Sequence, residues 1–267
     1  MDSRYSRQET VIDQNRLKNI RVAVVGVGAC GTVIADLLSR IGVGTIYLFD
    51  YDIVEIHNIA GQRFTEEDLG KPKVKVIDNQ LKKINSEITI LGENIKIVSE
   101  KQLPKDLDYI FSGVDNFTAR KVFINYQKRI NNKVIILDGG FNTPTTGSNQ
   151  MYIKGKRPIT DFYPNLEKEI QTEQRTTCTG ELIPSLVTTA TVIGALRVHQ
   201  FLQHLNEGRE YNELMNISMG KKIGIDYFWG VEMDVFKEGI KVKDLIEFLK
   251  KMPPDKLFYV ASDEEQN

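Results

Sequence analysis

The sequence is poor in cysteine, and its net charge is close to zero. Only Cys30 and Cys178 occur among 267 residues, too few for a secreted disulfide framework or for a structural zinc site built from cysteine pairs. The formal charge of −1 provides no basic surplus, and without one there is no electrostatic argument for a nucleic acid or an anionic membrane as a partner. We therefore expect a cytoplasmic protein that binds neither, and no structural zinc.

Long apolar runs are absent as well. The N-terminal stretch MDSRYSRQET lacks the apolar core of a signal peptide. The longest weakly polar run, Leu182 to Leu196, is too short and too rich in threonine to cross a bilayer. With 267 residues, the chain is long enough to bury the core of one large domain without covalent cross-links.

What the sequence does contain is a regular alternation of strand and helix patterns up to about residue 138. β-branched apolar runs alternate with segments whose apolar residues recur at helical spacing, and this alternation is typical of βα units. The pattern predicts an α/β fold with a doubly wound, mostly parallel, Rossmann-like sheet. After residue 149 the pattern changes, and it predicts antiparallel strands in the C-terminal part.

The same pattern predicts three parts of the chain. We expect an N-terminal helical arm over 1–20, a main domain over 21–225, and a small C-terminal extension of unknown role over 226–267. Within the main domain, polar residues with little periodicity predict a long crossover loop at about 155–184. A helix is predicted to follow, from Pro184 or Ser185 to Leu205, with Gly208 just past its end.

The stretch VVGVGACG, residues 24–31, places three glycines between a strand pattern and a helix pattern. At such a turn Gly26 permits the bend, Gly28 lets the backbone approach an anion, and Gly31 lets the helix pack closely on the strand. The next strand ends at Asp50, about twenty residues further on, where an acid accepts hydrogen bonds from ribose hydroxyls. These residues predict a nucleotide site, and they do not distinguish ATP from NAD.

Four longer motifs, in a fixed order, are more specific than the glycine turn. They are RYSRQ at 4–8, GVGTIYLFDYDIVEIHN at 42–58, LGKPK at 69–73 and SGVDNFTAR at 112–120. With these motifs the chain resembles the ubiquitin-activating-enzyme family of the ThiF/MoeB/HesA type over about residues 4 to 205. The resemblance implies an enzyme, here expected to be a homodimer, that uses Mg-ATP to adenylate the C-terminal carboxylate of a ubiquitin-like or sulfur-carrier protein.

The resemblance also implies roles for individual residues. Attack of a carboxylate on the α-phosphate brings two anions together, so cations and a metal are needed more than a strong base. By motif matching, Asp115 holds Mg²⁺, Lys73 contacts the phosphates, and Arg7 reaches the phosphates, often from the partner subunit. Asp50 binds the ribose. The remaining nucleotide-binding candidates are Gly26, Gly28, Gly31, Asp52, Asn58 and Arg63.

Cys178, in the segment TTCTGELIP, is a candidate for a second catalytic step. Members of the family that pass the activated protein onward carry a cysteine in the loop before this helix, where its thiolate attacks the acyl-adenylate to form a thioester. A polar loop near a helix start favours the thiolate. A lone cysteine is also common as a small packing residue, an interpretation that remains open for Cys178 and that we adopt for Cys30.

Some residues leave alternatives open. The family usually has an arginine three residues after the asparagine that matches Asn58, but this position is Gly61 here and the nearest arginine is Arg63. That departure favours a non-catalytic scaffold subunit as an alternative. The glycine turn and Asp50 alone are also compatible with an NAD-dependent oxidoreductase. Asp115 and its neighbour could instead serve as a helix N-cap.

Overall fold

An eight-stranded sheet organises the described part of the chain. The computed structural model describes residues 4–130, 134–153, 166, 186–208, 214–219 and 223–228. All described elements lie within the unit Met1–Trp229. Most of the predicted crossover loop and nearly all of the predicted C-terminal extension lie outside the described residues.

Five strands form the parallel half of the sheet. They are β1 (Arg21–Val25), β2 (Thr45–Phe49), β3 (Thr89–Glu93), β4 (Tyr109–Ser112) and β5 (Ile135–Thr143), and they lie in the order β3-β2-β1-β4-β5 with every neighbouring pair parallel. The central strands read as unbroken apolar runs because helices cover both faces of the sheet. Strands that are parallel neighbours bring their carboxyl ends to one edge, and the glycine turn follows β1 at that edge.

Three antiparallel strands extend the sheet beyond β5. They are β6 (Thr146–Tyr152), β7 (Leu214–Met219) and β8 (Ile223–Phe228), and each pairs with its predecessor in sequence. The predicted fold, a mostly parallel sheet followed by antiparallel C-terminal strands, is therefore confirmed.

Helices pack on the two faces of the sheet, which separates two apolar cores. The helices are α1 (Gln14–Leu17), α2 (Ala29–Ile41), α3 (Ile56–Ile59), α4 (Lys73–Ile84), α5 (Phe117–Arg129) and α6 (Val187–Glu207). Buried residues of α2, α4 and α6 belong to one core, and buried residues of α5 to the other. Successive side chains of a strand point to opposite faces, so Val24 joins the first core and Val25 the second.

Helix α6 ends at Glu207, two residues beyond the predicted end at Leu205. Gly208 follows α6 with φ +66°, a left-handed conformation that glycine adopts without strain. The predicted start of this helix at Pro184 or Ser185 lies outside the described residues, and the described helix begins at Val187. Within the described ranges, none of the helices combines the length and apolar character needed to span a membrane.

The N-terminal arm is held against the carboxyl ends of two helices. Turns occupy residues 4–12, and the four-residue helix α1 follows. The Asn85 amide, just past the end of α4, donates a 2.8 Å hydrogen bond to the hydroxyl of the buried Tyr5. The Gln8 amide donates to the carbonyl of Ile41, the last residue of α2, at 3.0 Å. The arm therefore lies at the edge of the molecule opposite to the glycine turn.

Candidate functional site

The three glycines of the turn differ in what surrounds them. A Cβ atom added to Gly26 would lie 2.7 Å from the carbonyl oxygen of Gly113, and Gly26 has φ +87°. A Cβ on Gly31 would lie 1.9 Å from the carbonyl oxygen of Gly26. A Cβ on Gly28, the N-cap of α2, would meet nothing within 4 Å. Packing therefore explains Gly26 and Gly31, whereas Gly28 borders open space at a helix N-terminus, where anions bind.

The carboxylate of Asp50 is fixed beside this turn. Its Oδ2 accepts a 2.7 Å hydrogen bond from the backbone N–H of Val27, and its Oδ1 accepts a 2.9 Å bond from the backbone N–H of Asp52. Burial raises the pKa of Asp50 above its usual value, although both backbone donors and the charge of Lys73 act in the opposite direction. The strand end thus presents a rigid acceptor next to Gly28.

Lys73 forms an ion pair at the same edge. Its side chain is 7% exposed, and its Nζ lies 3.0 Å from Oδ2 of Asp52, whose side chain is 46% exposed. The backbone N–H of Lys73 also donates to the carbonyl of Asp52 at 3.0 Å. Lys73 is the first residue of α4, where the helix dipole disfavours a cation, and Asp52 offsets that cost.

Asp115 faces solvent between β4 and α5. The N-cap of α5 is Asn116, whose Oδ1 accepts a 2.8 Å hydrogen bond from the backbone N–H of Ala119. The helix-cap alternative therefore applies to Asn116 and not to Asp115. The carboxylate of Asp115 is exposed and accepts no hydrogen bond from the described residues. Partial burial raises the pKa of Tyr51, and the charges of Asp52, Asp115 and Asp50 raise it further. Because β2 and β4 both pair with β1 in parallel, Asp115 lies at the same edge of the sheet as the end of β2.

Asn58 and Arg63 have different surroundings. Asn58 is buried, and its Oδ1 accepts a 2.9 Å hydrogen bond from the backbone N–H of Glu55, closing the first turn of α3. The oxygen of this side chain is therefore used by the fold. Arg63 is exposed, and its side chain contacts no hydrogen-bond or ion-pair partner in the described ranges. The structure does not bring Arg63 into contact with Asp50, Lys73 or Asp115.

Arg7 lies far from the other candidates of its own chain. Its neighbours in the RYSRQ motif are anchored at the ends of α2 and α4, while the side chain of Arg7 itself is exposed. Gly28 and Lys73 stand at the beginnings of these helices, which have 13 and 12 residues. At 1.5 Å per residue the separation is about 18–20 Å, well beyond the reach of one side chain.

Of the two cysteines, the structure describes only Cys30. Cys178 lies outside the described residues. Cys30, in the first turn of α2, is buried, and burial raises the pKa of its thiol despite the nearby charge of Arg197. A buried protonated thiol fits the packing role that we assign to it.

Two buried polar pairs next to the site were not assigned from the sequence. Arg120 forms a 2.8 Å ion pair with Asp138, and Arg197 bonds to Asn149. Burial alone would raise the pKa of Asp138, but the guanidinium groups of Arg120 and Arg197 outweigh it and the pKa is lowered. Two sequence features could have identified these arginines. Arg120 belongs to the SGVDNFTAR motif, and Arg197 is a charged residue on the apolar side of α6. In the described ranges, no three His, Cys, Asp or Glu side chains converge as a metal site.

Comparisons with known proteins match this architecture. The model of the ThiF family matches residues 5–226. The ubiquitin-like modifier-activating enzyme 5 of Drosophila mojavensis is 33% identical over 214 residues, which are 74% of this chain and 53% of that protein. The sulfur carrier protein ThiS adenylyltransferase of Bacillus subtilis (strain 168) is 36% identical over 132 residues, 46% of this chain and 39% of that protein. The chain thus spans about half or less of the length of these curated relatives.

Solved structures support the fold. A crystal structure of E. coli MccB with ATP has a TM-score of 0.70 and 24% identity, covering 85% of this chain and 71% of that chain. At this level of identity the similarity extends to the fold.

Proposed function

Because the chain belongs to the ThiF family, we propose that it adenylates the C-terminal carboxylate of a ubiquitin-like or sulfur-carrier protein with Mg-ATP. One observation carries the proposal. Four features lie together at the carboxyl ends of parallel strands, where open α/β sheets bind ligands. They are the open N-cap at Gly28, the carboxylate of Asp50, the buried cation of Lys73, and the exposed carboxylate of Asp115, which has no partner among the described residues.

We assign the parts of ATP to these residues by their chemistry. Asp50 accepts hydrogen bonds from the ribose hydroxyls. The phosphates lie over Gly28 and the N-terminus of α2, which attracts anions. Lys73 exchanges Asp52 for a phosphate oxygen, so that a cation already desolvated by the fold meets the triphosphate. Asn58, whose oxygen is used within α3, contributes only through its amide N–H groups.

The residues present also fit Mg²⁺. In nucleotide enzymes this ion is held by one or two carboxylates together with phosphate oxygens and water, and Asp115 is an exposed carboxylate without a partner in the described ranges. Mg²⁺ supplies charge neutralisation at the phosphates. The carrier carboxylate then forms a bond to the α-phosphorus while the bond from that phosphorus to the bridging oxygen breaks, and pyrophosphate leaves.

Arg7 acts on the site of a second copy, and the active form is a homodimer. The basis is distance: Arg7 is exposed at the edge opposite to its own chain's site. Two-fold symmetry makes this testable by mixing Arg7→Ala with Asp115→Ala. If Arg7 acts between copies, each mixed dimer holds one intact site, and about a quarter of the wild-type rate returns on statistical mixing. If Arg7 acts within one chain, no rate returns.

Cys178 is proposed to receive the activated carboxylate in a second step. Its thiolate attacks the carbonyl carbon of the acyl-adenylate, the thioester bond forms and AMP leaves. The cytoplasm, with its reduced thiols, is the proposed compartment. Exchange of labelled pyrophosphate into ATP, measured with candidate carrier proteins, tests both steps. Asp115→Ala should abolish exchange, whereas Cys178→Ala should retain exchange and lose only a thiol-sensitive conjugate.

A second candidate function rests on Gly61. The arginine that the family usually carries there is missing, and Arg63 does not contact the other candidates. A scaffold subunit that binds ATP for the sake of an active partner is the alternative consistent with this departure. It predicts ATP binding by the wild-type protein without any pyrophosphate exchange, for every carrier tested.

A further inference from the structure

Two buried arginines hold the backbone that leads to Asp115, one from each face of the sheet. Arg120 on α5 donates from Nη2 to the carbonyl oxygen of Val114 at 3.5 Å. Arg197 on α6 donates from Nη1 to the carbonyl oxygen of Ser112. The two carbonyls stand on either side of a single glycine, and Asp115 follows directly. Arg120 and Arg197 are 6% and 0% exposed.

Each guanidinium is in turn fixed by a second residue. Oδ2 of Asp138 accepts from Nε of Arg120 at 2.8 Å. Oδ1 of Asn149 accepts from both Nε and Nη2 of Arg197, at 3.0 and 2.9 Å. The amide of Asn149 donates to the carbonyl of Ile193 on α6 at 2.8 Å, so Asn149 cannot rotate without breaking three bonds. Planar groups held at several points keep a defined orientation.

The fold also makes room for the Arg197 guanidinium. A Cβ on Gly139 would lie 2.8 Å from Nη2 of Arg197 and 2.0 Å from the carbonyl oxygen of Ser148, and Gly139 has φ +141°. A residue with a side chain cannot occupy this position. The glycine between the two held carbonyls, Gly113, donates to the carbonyl of Val25 at 2.7 Å, which ties the same segment to β1.

Asp115 itself has no such support, because its carboxylate is exposed and accepts no hydrogen bond from the described residues. Its position therefore depends on the backbone before it. We infer that Arg197, together with Arg120, is a positioning residue that holds the segment 112–114 so that Asp115 meets the metal-bound phosphates. The inference rests on the proposed function for its ligand. A displacement of about 1 Å in a group that positions the reactants can lower the reaction rate on the order of a hundredfold.

The test compares Arg197→Met and Arg197→Lys with a control on the same helix. Phe201 of α6 is fully buried and packs on the rings of Tyr109 and Phe111. Phe201→Leu therefore perturbs the packing of α6 on β4 but removes neither of the arginine hydrogen bonds to the segment 112–114. Thermal unfolding shows whether each variant is folded. Affinity for Mn²⁺·ATP is measured by electron paramagnetic resonance, with Mn²⁺ as the probe for Mg²⁺, and affinity for metal-free ATP is measured in excess chelator.

We expect Arg197→Met to weaken Mn²⁺·ATP binding roughly tenfold, as Asp115→Ala does, with little change for metal-free ATP. Arg197→Lys keeps the positive charge and one donor nitrogen, and its affinity for Mn²⁺·ATP should lie between those of Arg197→Met and the wild type. It carries the test alone if Arg197→Met does not fold. Phe201→Leu should change only the unfolding temperature.

Two results would overturn the inference. In the first, the Arg197 variants lose thermal stability as Phe201→Leu does but bind Mn²⁺·ATP like the wild type, which leaves Arg197 a structural role only. In the second, the wild-type protein binds Mn²⁺·ATP no more tightly than metal-free ATP, which removes Asp115 as a ligand. Failure of the proposed function is distinct, since it would leave the expected Mn²⁺ pattern in place while no carrier protein supported pyrophosphate exchange.

Discussion

Substituting the three glycines of the turn separately tests where the phosphates lie. Alanine at Gly31 would place its Cβ 1.9 Å from a backbone oxygen, a contact that backbone movement must relieve at about 3 kcal/mol or more. Alanine at Gly28 meets no protein atom within 4 Å, and φ there is −80°, so only the weaker capping of alanine remains, at about 1 kcal/mol. We therefore expect the midpoint of thermal unfolding to fall by about 2–4 °C for Gly28→Ala and about 6–12 °C for Gly31→Ala.

The glycine substitutions should rank differently by their effect on ATP affinity than by their effect on stability. The Cβ of Gly28→Ala occupies the space over the start of α2 where we place the phosphates, and we expect at least a roughly tenfold loss of affinity, or about 1.4 kcal/mol. Gly208→Ala is the matched control. Alanine at this φ of +66°, with open space around it, is strained by about 1–2 kcal/mol, and the position lies at the end of α6, away from the glycine turn. Isothermal titration calorimetry with ATP and Mg²⁺ measures the affinity, and scanning calorimetry measures the unfolding temperature.

A Gly28→Ala protein that bound ATP as tightly as Gly208→Ala would refute the placement of the phosphates at this N-cap. A Gly28→Ala protein as unstable as Gly31→Ala would refute the structural part of the reasoning, because the glycine would then be required by packing and not by a ligand.

Three further predictions concern charged residues. Asp115→Ala removes an exposed carboxylate, so stability should change by no more than about 0.5 kcal/mol, while pyrophosphate exchange falls at least about a hundredfold. Lys73→Met removes one partner of an ion pair whose other partner, Asp52, is 46% exposed, so calorimetry should find the protein less stable by no more than about 1 kcal/mol and its ATP affinity about tenfold lower. The lowered pKa of Asp138 means that its ion pair with Arg120 stabilises the fold above the ordinary carboxyl pKa and that this contribution is lost as pH falls through the lowered value. In urea unfolding near pH 7, Asp138→Asn should lower the free energy of unfolding by about 3 kcal/mol. The difference in unfolding free energy between this variant and the wild type should become smaller towards acid pH.

The local pattern of the chain was sufficient for most of the parallel sheet. Strands such as Arg21–Val25 and Thr45–Phe49 are β-branched or apolar at most positions, and helices such as Phe117–Arg129 have apolar residues at helical spacing. Each element could therefore be recognised without its partners. The family could be recognised for a similar reason, since its motifs are short, local and ordered along the chain.

Side-chain partners could not be predicted in the same way. Asp115 and Asn116 are adjacent and both residue types cap helices, and only the backbone direction at the end of β4 decides that Asn116 bonds to Ala119. Lys73 was expected at the phosphates, but its partnership with Asp52 depends on how the end of β2 meets the start of α4.

The sequence by itself determined the order of strands and helices along the chain, the glycine turn and the family, because these depend on residues close together in the chain. Only the tertiary structure decided that Arg197 donates a hydrogen bond to a carbonyl 85 residues away in the chain and that Asp138 forms an ion pair with Arg120. It also decided that Arg7 lies at the edge away from the site of its own chain. Such contacts depend on strand register and helix packing, in which a shift of one residue turns a side chain to the other face.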